Sequence, residues 1–183
     1  NNTLAKKKLK KILIIGCGKS STSLIDYLYN YCMSKNFIIQ ISDFDTENLK
    51  FFTKKYPKII TQIFDVNDKK QREKIVINQS IVISMLPAKY HFLIAIECLK
   101  SNINLVTASY ISDELMKLDY EVKKRNLLFL NEVGLDPGLD HMSALKLIKE
   151  IKNDNGKIKS FKSHCGGLIH PKYDNNPWNY KFT

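Results

Sequence analysis

Glycine, proline and cysteine are all scarce in this chain, and each shortage excludes a class of protein. With 7 Gly and 5 Pro among 183 residues, the sequence is neither collagenous nor of low complexity. Four Cys are too few for a scaffold held by disulfides. No apolar run approaches the roughly 18 residues of a membrane-spanning helix. The remaining composition, 44% hydrophobic and 26% charged, is that of an ordinary globular protein.

The positive charge is large, but arginine is almost missing from it. The net charge is +11, and Lys supplies all but two of the 29 basic residues. Nucleic-acid sites favour Arg because its guanidinium makes bidentate contacts, so a low-GC codon bias explains this composition better. We therefore expect no nucleic-acid or membrane partner and interpret residues 1–10 as a solvated basic arm. Unpaired cysteines and the lack of a signal-peptide pattern predict a cytoplasmic protein.

Strand-like and helix-like segments alternate along most of the chain. Short β-branched runs predict six strands, at 11–15, 37–42, 59–63, 80–85, 103–107 and 127–130, with helices at about 19–34, 46–55, 67–77, 88–100 and 112–125. Such alternation is typical of parallel βαβ units. We therefore predict an α/β fold, a doubly wound parallel-sheet Rossmann domain over residues 11–131.

The pattern changes near residue 132, where we predict a transition between domains. A helix is expected at about 139–152, a turn at 155–156 and a half-exposed strand at 157–163. Residues 132–183 are therefore interpreted as the start of a second, α+β domain that binds substrate.

The motif Gly16-x-Gly18-x-x-Ser21 follows the first strand and opens the first helix, as in a dinucleotide-binding fingerprint. Gly16 allows a tight turn, and Gly18 lets the backbone approach a pyrophosphate at the helix N-terminus. Ser21 replaces the third glycine with another small residue, and the hydroxyls of Ser20 and Ser21 could donate to phosphate oxygens. The alternative is an ordinary turn between a strand and a helix.

Asp43 ends the second predicted strand, about 20 residues after the glycine motif. A carboxylate there accepts hydrogen bonds from an adenosine ribose and would repel a 2′-phosphate. Since no Arg is near in sequence to bind that phosphate, we predict NAD in preference to NADP. The alternative is that Asp43 caps the next helix, although Asp45 could do so instead.

Further candidates follow the fourth predicted strand, at the edge where parallel sheets bind ligands. Ser84 ends this strand, and Leu86 and Pro87 could pack against a nicotinamide or a ribose. His91 lies within the first turn of the next helix. It is a weak candidate for a general acid or base, and a half-buried structural histidine is an equal alternative.

Two more groups, 107–110 and 131–141, follow the fifth and sixth strands. Asp136 could bind an ammonium or imine nitrogen, and is a second weak catalytic candidate, or could form an Asx turn. Asp140 and His141 could cap a helix or contact the cofactor, and residues 164–167 could cradle a carboxylate. We expect no metal site, although His164, Cys165 and His170 are potential ligands.

Together these motifs resemble the saccharopine dehydrogenase family, in particular its glutamate-forming saccharopine reductases and their bacterial relatives. The resemblance is carried by residues 83–87, 107–110, 131–141, 165–167 and 174–182, and the string Gly-Leu-Asp-Pro-Gly-x-Asp-His at 134–141 is its most specific part. It implies a reversible NAD(P)-dependent oxidoreductase of lysine metabolism. Such an enzyme joins glutamate to aminoadipate semialdehyde through an imine that is reduced.

The resemblance also implies two sets of site residues and a longer, homodimeric protein of which this chain is the N-terminal part. The cofactor would contact Gly16, Gly18, Lys19, Ser20, Ser21, Ser84, Leu86, Leu139, Asp140 and His141. The substrate would contact Ser109, Tyr110, Asp136, Cys165, Gly166 and Gly167. Two departures from the family affect the cofactor: the glycine loop continues as Lys-Ser-Ser, and Asp43 stands where several NADP-using members have a basic residue.

Two alternatives stay open at this point. One is a related lysine or carboxynorspermidine dehydrogenase, which would differ in the amine it accepts. The other is a nucleotide-binding module without catalysis.

Overall fold

The computed structural model of the protein describes residues 9–35 and 37–164, and it divides into two compact units. The first unit ends at Gly138 and the second begins at Leu139. The boundary that we predict near residue 132 lies before this division. Within the described ranges, no helix is both long enough and apolar enough to cross a bilayer.

Six parallel strands form one sheet in the first unit. They are β1 Lys11–Ile15, β2 Ile38–Asp43, β3 Ile60–Ile63, β4 Ile81–Ser84, β5 Asn104–Thr107 and β6 Phe129–Leu130. Their order in the sheet is β3-β2-β1-β4-β5-β6, so the winding direction reverses between β1 and β4. This topology confirms the predicted doubly wound fold and places a ligand-binding crevice at that reversal.

Helices connect the strands at nearly the predicted places. They are α1 Thr22–Lys35, α2 Thr46–Lys55, α3 Lys69–Ile75, α4 His91–Lys100, α5 Asp113–Met116, α6 Asp119–Lys124 and, in the second unit, α7 Leu139–Asn153. Short 3₁₀ turns, Lys19–Ser21 and Ala88–Tyr90, precede α1 and α4. Asp45 caps α2 by accepting the backbone N–H of Glu47 at 2.8 Å.

The structure corrects three of the predicted elements. The helix expected over 112–125 is two helices, because Leu118 N–H donates to Leu115 O at 3.0 Å and tightens the chain between them. The strand expected over 127–130 is reduced to the two residues of β6. The strand expected over 157–163 is wrong: these residues are exposed and form no strand with any described segment.

Both faces of the sheet are covered, as parallel strands require. Side chains alternate along β1, so Ile12 and Ile14 pack with α1 and α2, whereas Leu13 and Ile15 pack with α3, α4 and α5. All of Leu13, Ile14 and Ile15 are fully buried. The rigid strand ends that result are what hold the loops of the site in place.

We expect Leu13→Ala to reduce the free energy of unfolding by about 2–5 kcal/mol, because it leaves a cavity beneath β1. Leu128→Ala is the matched control, since Leu128 is 54% exposed and should lose far less. Urea denaturation of both variants measures the difference. Equal losses would contradict the assignment of Leu13 to the core.

Candidate functional site

The loops that follow β1, β2, β4 and β5 meet at one edge of the sheet because all of these strands are parallel. Backbone hydrogen bonds continue past the strand ends. Gly16 N–H donates to Ser42 O at 2.8 Å, and Met85 N–H donates to Ile15 O at 2.7 Å. The glycine loop is therefore fastened on both sides, to the end of β2 and to the end of β4.

The two glycines of this loop have different physical reasons to be glycine. Gly16 has φ +93°, and a Cβ there would lie 2.8 Å from Met85 O, so the fold itself requires glycine. Gly18 has φ −71°, and a Cβ there would meet no atom within 4 Å. The space in front of Gly18 is open, as close approach of a pyrophosphate requires.

Of the three residues after Gly18, two face solvent and one packs inside the turn. Lys19 and Ser20 are exposed, whereas Ser21 is buried and its hydroxyl donates to Gly18 O at 2.7 Å. Ser21 therefore packs closely, in the manner that the missing third glycine would allow. Its role as a phosphate donor stays a prediction and would require this hydrogen bond to break.

Asp43 is buried at the end of β2, and both of its carboxylate oxygens have backbone donors. Oδ2 accepts the N–H of Cys17 at 2.6 Å, and Oδ1 accepts the N–H of Asp45 at 2.9 Å. Asp43 thus fixes the glycine loop to β2, while Asp45 caps α2. Since a carboxylate oxygen has two lone pairs, Asp43 can still accept a ribose hydroxyl.

Cys17 lies in the glycine loop but is not a nucleophile. Burial, followed by the nearby charge of Asp43, raises the pKa of the Cys17 thiol far above its usual range. The thiol stays protonated at neutral pH and acts as a small apolar group of the core.

A groove of about 810 Å³ lies beside Asp43, at the carboxyl ends of β3 and β4. Leu86 and Pro87 line it, which puts them on the β3 side of the crevice. Phe44, directly after Asp43, is 78% exposed and also lines the groove. Phe44 is a site candidate that the sequence motifs do not predict, although a large aromatic residue next to the candidate ribose ligand is a signal for it.

A smaller pocket of about 270 Å³ lies on the other side of the glycine loop. Its lining includes Ser20 and the ends of β4 and β5, with the loop that follows β6: Ile83, Met85, Val106, Thr107, Ala108, Val133 and Gly134. The backbone at Gly134 lies close to Ala108, because a Cβ at this glycine would be only 2.8 Å from Ala108 O. Three groups of candidates that are far apart in sequence therefore share one cavity.

Tyr110 and Asp136, both predicted to contact substrate, are brought together at this edge. The Tyr110 hydroxyl donates to Asp136 Oδ1 at 2.5 Å, and both residues are exposed. The loops that carry them are joined by Glu132, whose N–H donates to Ser109 O at 3.1 Å and whose side chain accepts the N–H of Ile111. An exposed carboxylate held in this way can receive a cationic nitrogen.

His91 is the first residue of α4 and is 1% exposed, so it is more deeply buried than either interpretation of the sequence assumed. Its Nδ1 lies 2.9 Å from Ser84 Oγ, and its Nε2 lies 2.8 Å from Ser109 Oγ. Burial lowers the pKa of His91 below its usual range, so the ring is neutral at neutral pH. His91 thus connects two predicted site residues on neighbouring strands.

The remaining candidates belong to the second unit or lie outside the described residues. Leu139, Asp140 and His141 open α7, and His141 Nδ1 lies 2.8 Å from Asp140 Oδ1. Cys165, Gly166, Gly167 and His170 lie outside the described residues. Among residues 9–35 and 37–164, no three His, Cys, Asp or Glu side chains are grouped so that they could hold a metal ion.

Substitution of Gly16 should affect stability, whereas substitution of Gly18 should affect dinucleotide binding. Gly16→Ala should destabilise the fold by at least about 1 kcal/mol, because the residue has a positive φ and no room for a Cβ. Gly18→Asp should fold normally but lose dinucleotide affinity by more than about tenfold, since it puts a charge where the pyrophosphate approaches. Thermal unfolding and calorimetric titration separate the two effects. Reduced stability of Gly18→Asp would contradict this assignment.

Protonation of His91 should weaken the fold at acidic pH. The unfolded chain takes up the proton near the usual pKa of 6.5, whereas the folded chain resists it. The contribution to stability is therefore complete above that value and is lost as the pH falls toward the lower folded pKa. We expect the free energy of unfolding to fall more steeply between about pH 7 and about pH 5 in the wild type than in His91→Gln. Parallel curves in urea denaturation would contradict this expectation.

Comparison with known protein families gives two matches. Residues 12–130 match the saccharopine dehydrogenase NADP binding domain, and residues 134–183 match the saccharopine dehydrogenase C-terminal domain. The first match alone covers most of the chain, and its range coincides with the parallel sheet.

Individual relatives agree with this result. The chain is 34% identical over 174 residues to the mitochondrial alpha-aminoadipic semialdehyde synthase of Rattus norvegicus. This match covers 95% of this chain and 18% of the rat protein. It is 40% identical over 119 residues to the NADP(+), L-glutamate-forming saccharopine dehydrogenase of Saccharomyces cerevisiae, which covers 65% of this chain and 27% of the yeast protein. The chain therefore spans less than a third of either relative's length.

A solved structure of apo L-Glu-forming saccharopine dehydrogenase from Saccharomyces cerevisiae superposes with a TM-score of 0.77. It is 33% identical to this chain, and the match covers 95% of this chain and 38% of the yeast chain. The WlbA dehydrogenase of Chromobactrium violaceum, at 14% identity and a TM-score of 0.59, shares the fold.

Proposed function

The chain belongs to the saccharopine dehydrogenase family, and we propose that its protein is a dehydrogenase that reversibly reduces an imine between an amino acid and an aldehyde. Glutamate and aminoadipate semialdehyde are the proposed partners of that imine, which puts the reaction in lysine metabolism. The dinucleotide-binding loop, with its open face at Gly18, is the observation that carries this proposal.

The residues of the first unit fit a nicotinamide dinucleotide. The backbone N–H groups that open the 3₁₀ turn after Gly18 would bind the pyrophosphate, with Lys19 and Ser20 exposed beside them. The groove next to Asp43 would hold the adenosine half, where Phe44 offers an aromatic face to adenine. The smaller pocket at Ser20 and Thr107 would receive the nicotinamide end, which supplies the hydride when bound.

Asp136 and Tyr110 are proposed to bind the nitrogen of the substrate. An iminium carries a positive charge, and the exposed Asp136 carboxylate stabilises it, while the Tyr110 hydroxyl holds that carboxylate in position. His91 is not proposed as the proton donor, because both of its ring nitrogens are already bound to hydroxyls in a buried site. The homodimer and the cytoplasmic location stay predictions.

Asp43 supports a preference for NAD over NADP. A 2′-phosphate would approach a buried carboxylate, and repulsion between like charges in a partly desolvated site is costly. In calorimetric titration, we expect NADH to bind at least about tenfold more tightly than NADPH. Tighter binding of NADPH would overturn this preference while keeping the proposed reaction.

The control for Asp43 must allow for its second role in holding the glycine loop. Asp43→Asn removes the charge, and it also disturbs the hydrogen bond to Cys17. The ratio of the two affinities cancels this disturbance, because NADH and NADPH use the same loop. We therefore expect the ratio to shrink in Asp43→Asn, even if both affinities fall.

Turnover distinguishes the enzyme from a binding module. The protein should oxidise saccharopine with NAD(P)+ to an imine, and addition of water to that imine should release glutamate and aminoadipate semialdehyde. Asp136→Asn should reduce this activity more than it reduces cofactor affinity. Binding of NADH without turnover of saccharopine, lysine or carboxynorspermidine would indicate a nucleotide-binding module instead.

A further inference from the structure

A row of three hydrogen-bonded side chains, two of them buried and one half-buried, crosses from β4 to β5. Ser84 ends β4, His91 begins α4, and Ser109 follows β5. The imidazole lies between the two hydroxyls, with Nδ1 2.9 Å from Ser84 Oγ and Nε2 2.8 Å from Ser109 Oγ. Each nitrogen of a neutral imidazole is either a donor or an acceptor, so the direction of one hydrogen bond determines the other.

The surroundings of Ser84 determine which groups donate and which accept in this row of hydrogen bonds. Ser84 is 0% exposed, and within the described part of the chain His91 is the only hydrogen-bond partner of its hydroxyl. If Nδ1 donated to Ser84, the hydroxyl proton of Ser84 would be buried without an acceptor, which costs about 1–3 kcal/mol. The Ser84 hydroxyl therefore donates to Nδ1 of His91.

The direction of the hydrogen bond between His91 and Ser109 follows from the direction of the one between Ser84 and His91. Because Nδ1 accepts, the single ring proton of neutral His91 lies on Nε2 and is donated to Ser109 Oγ. Ser109 is half-buried, so its hydroxyl is less enclosed than that of Ser84. Since its oxygen accepts from His91, its own hydroxyl proton is directed away from the ring and is available to a ligand.

We propose that His91 is a positioning residue that holds the Ser109 hydroxyl as a hydrogen-bond donor toward a carboxylate oxygen of the substrate. A carboxylate only accepts hydrogen bonds, so a serine whose hydroxyl proton is directed outward is suited to donate to one of its oxygens. This inference rests on the proposed function, in which Asp136 receives the nitrogen. Ser109 and Asp136 are connected through Tyr110, so one amino acid can meet both residues.

The tautomer of His91 is the direct test and does not depend on turnover. Long-range ¹H–¹⁵N NMR correlations of the imidazole in the whole protein at neutral pH should show the proton on Nε2. A proton on Nδ1 would overturn the proposal, because Ser109 would then donate to the ring. In Ser84→Ala, where Nδ1 loses its donor, we expect the proton to be shared between the two nitrogens.

Kinetics test the consequence for the substrate. His91→Leu removes the donor to Ser109, and we expect the KM for saccharopine to rise by about tenfold while kcat changes less. His91→Gln should restore most of the affinity, because its side-chain amide can still donate to Ser109. Ser109→Ala should raise KM similarly, and the double variant with His91→Leu should add little, as expected for two residues that act as a unit.

Measurements of cofactor affinity distinguish failure of the proposed function from failure of the positioning role of His91. Failure of the wild type to bind either dinucleotide would refute the proposed function. Normal NADH binding with an unchanged KM in His91→Leu and Ser109→Ala would refute the positioning role alone. Loss of NADH binding in His91→Leu together with His91→Gln would show that the ring only supports the fold, which also overturns the proposal.

Discussion

The hydrogen bond from the Cys17 backbone to the Asp43 carboxylate is the contact on which the site depends. It joins the loop after β1 to the end of β2 across a buried surface, at 2.6 Å. A charged acceptor makes such a bond stronger than one between neutral groups. The space in front of Gly18 is open in this arrangement, and Phe44, the residue after Asp43, lines the groove proposed for adenosine.

A second connection, through His91, does the corresponding work on the other half of the sheet. The imidazole binds one hydroxyl at the end of β4 and another after β5, so the segments that follow these two strands are held to each other. Neither connection is a surface ion pair, which water and salt would weaken. Both join separate elements at this edge of the sheet, across 26 residues from Cys17 to Asp43 and across 18 residues from His91 to Ser109.

The order of elements was predictable from local patterns, and the errors have local causes. Strands such as β1 are continuous β-branched runs, and α2 begins after Asp45 as its cap residue indicates. The predicted strand at 157–163 failed because alternation alone does not supply a partner strand among the described residues. The predicted helix at 112–125 failed because no glycine or proline marks the break at Leu118, where a hydrogen bond of shorter spacing tightens the chain.

The sequence by itself determined that parallel βαβ units would form and that Gly16, Gly18 and Asp43 would meet at one edge, since strand periodicity and topology suffice for both. Only the tertiary structure decided what these groups do there. The geometry gave Asp43 two backbone donors, buried Ser21 against Gly18 O and enclosed His91 between two serines. Burial and the longer-range partners, such as Cys17 with Asp43 and His91 with Ser109, are properties of the packed chain, because they join residues of different elements whose distance in space the sequence alone does not give.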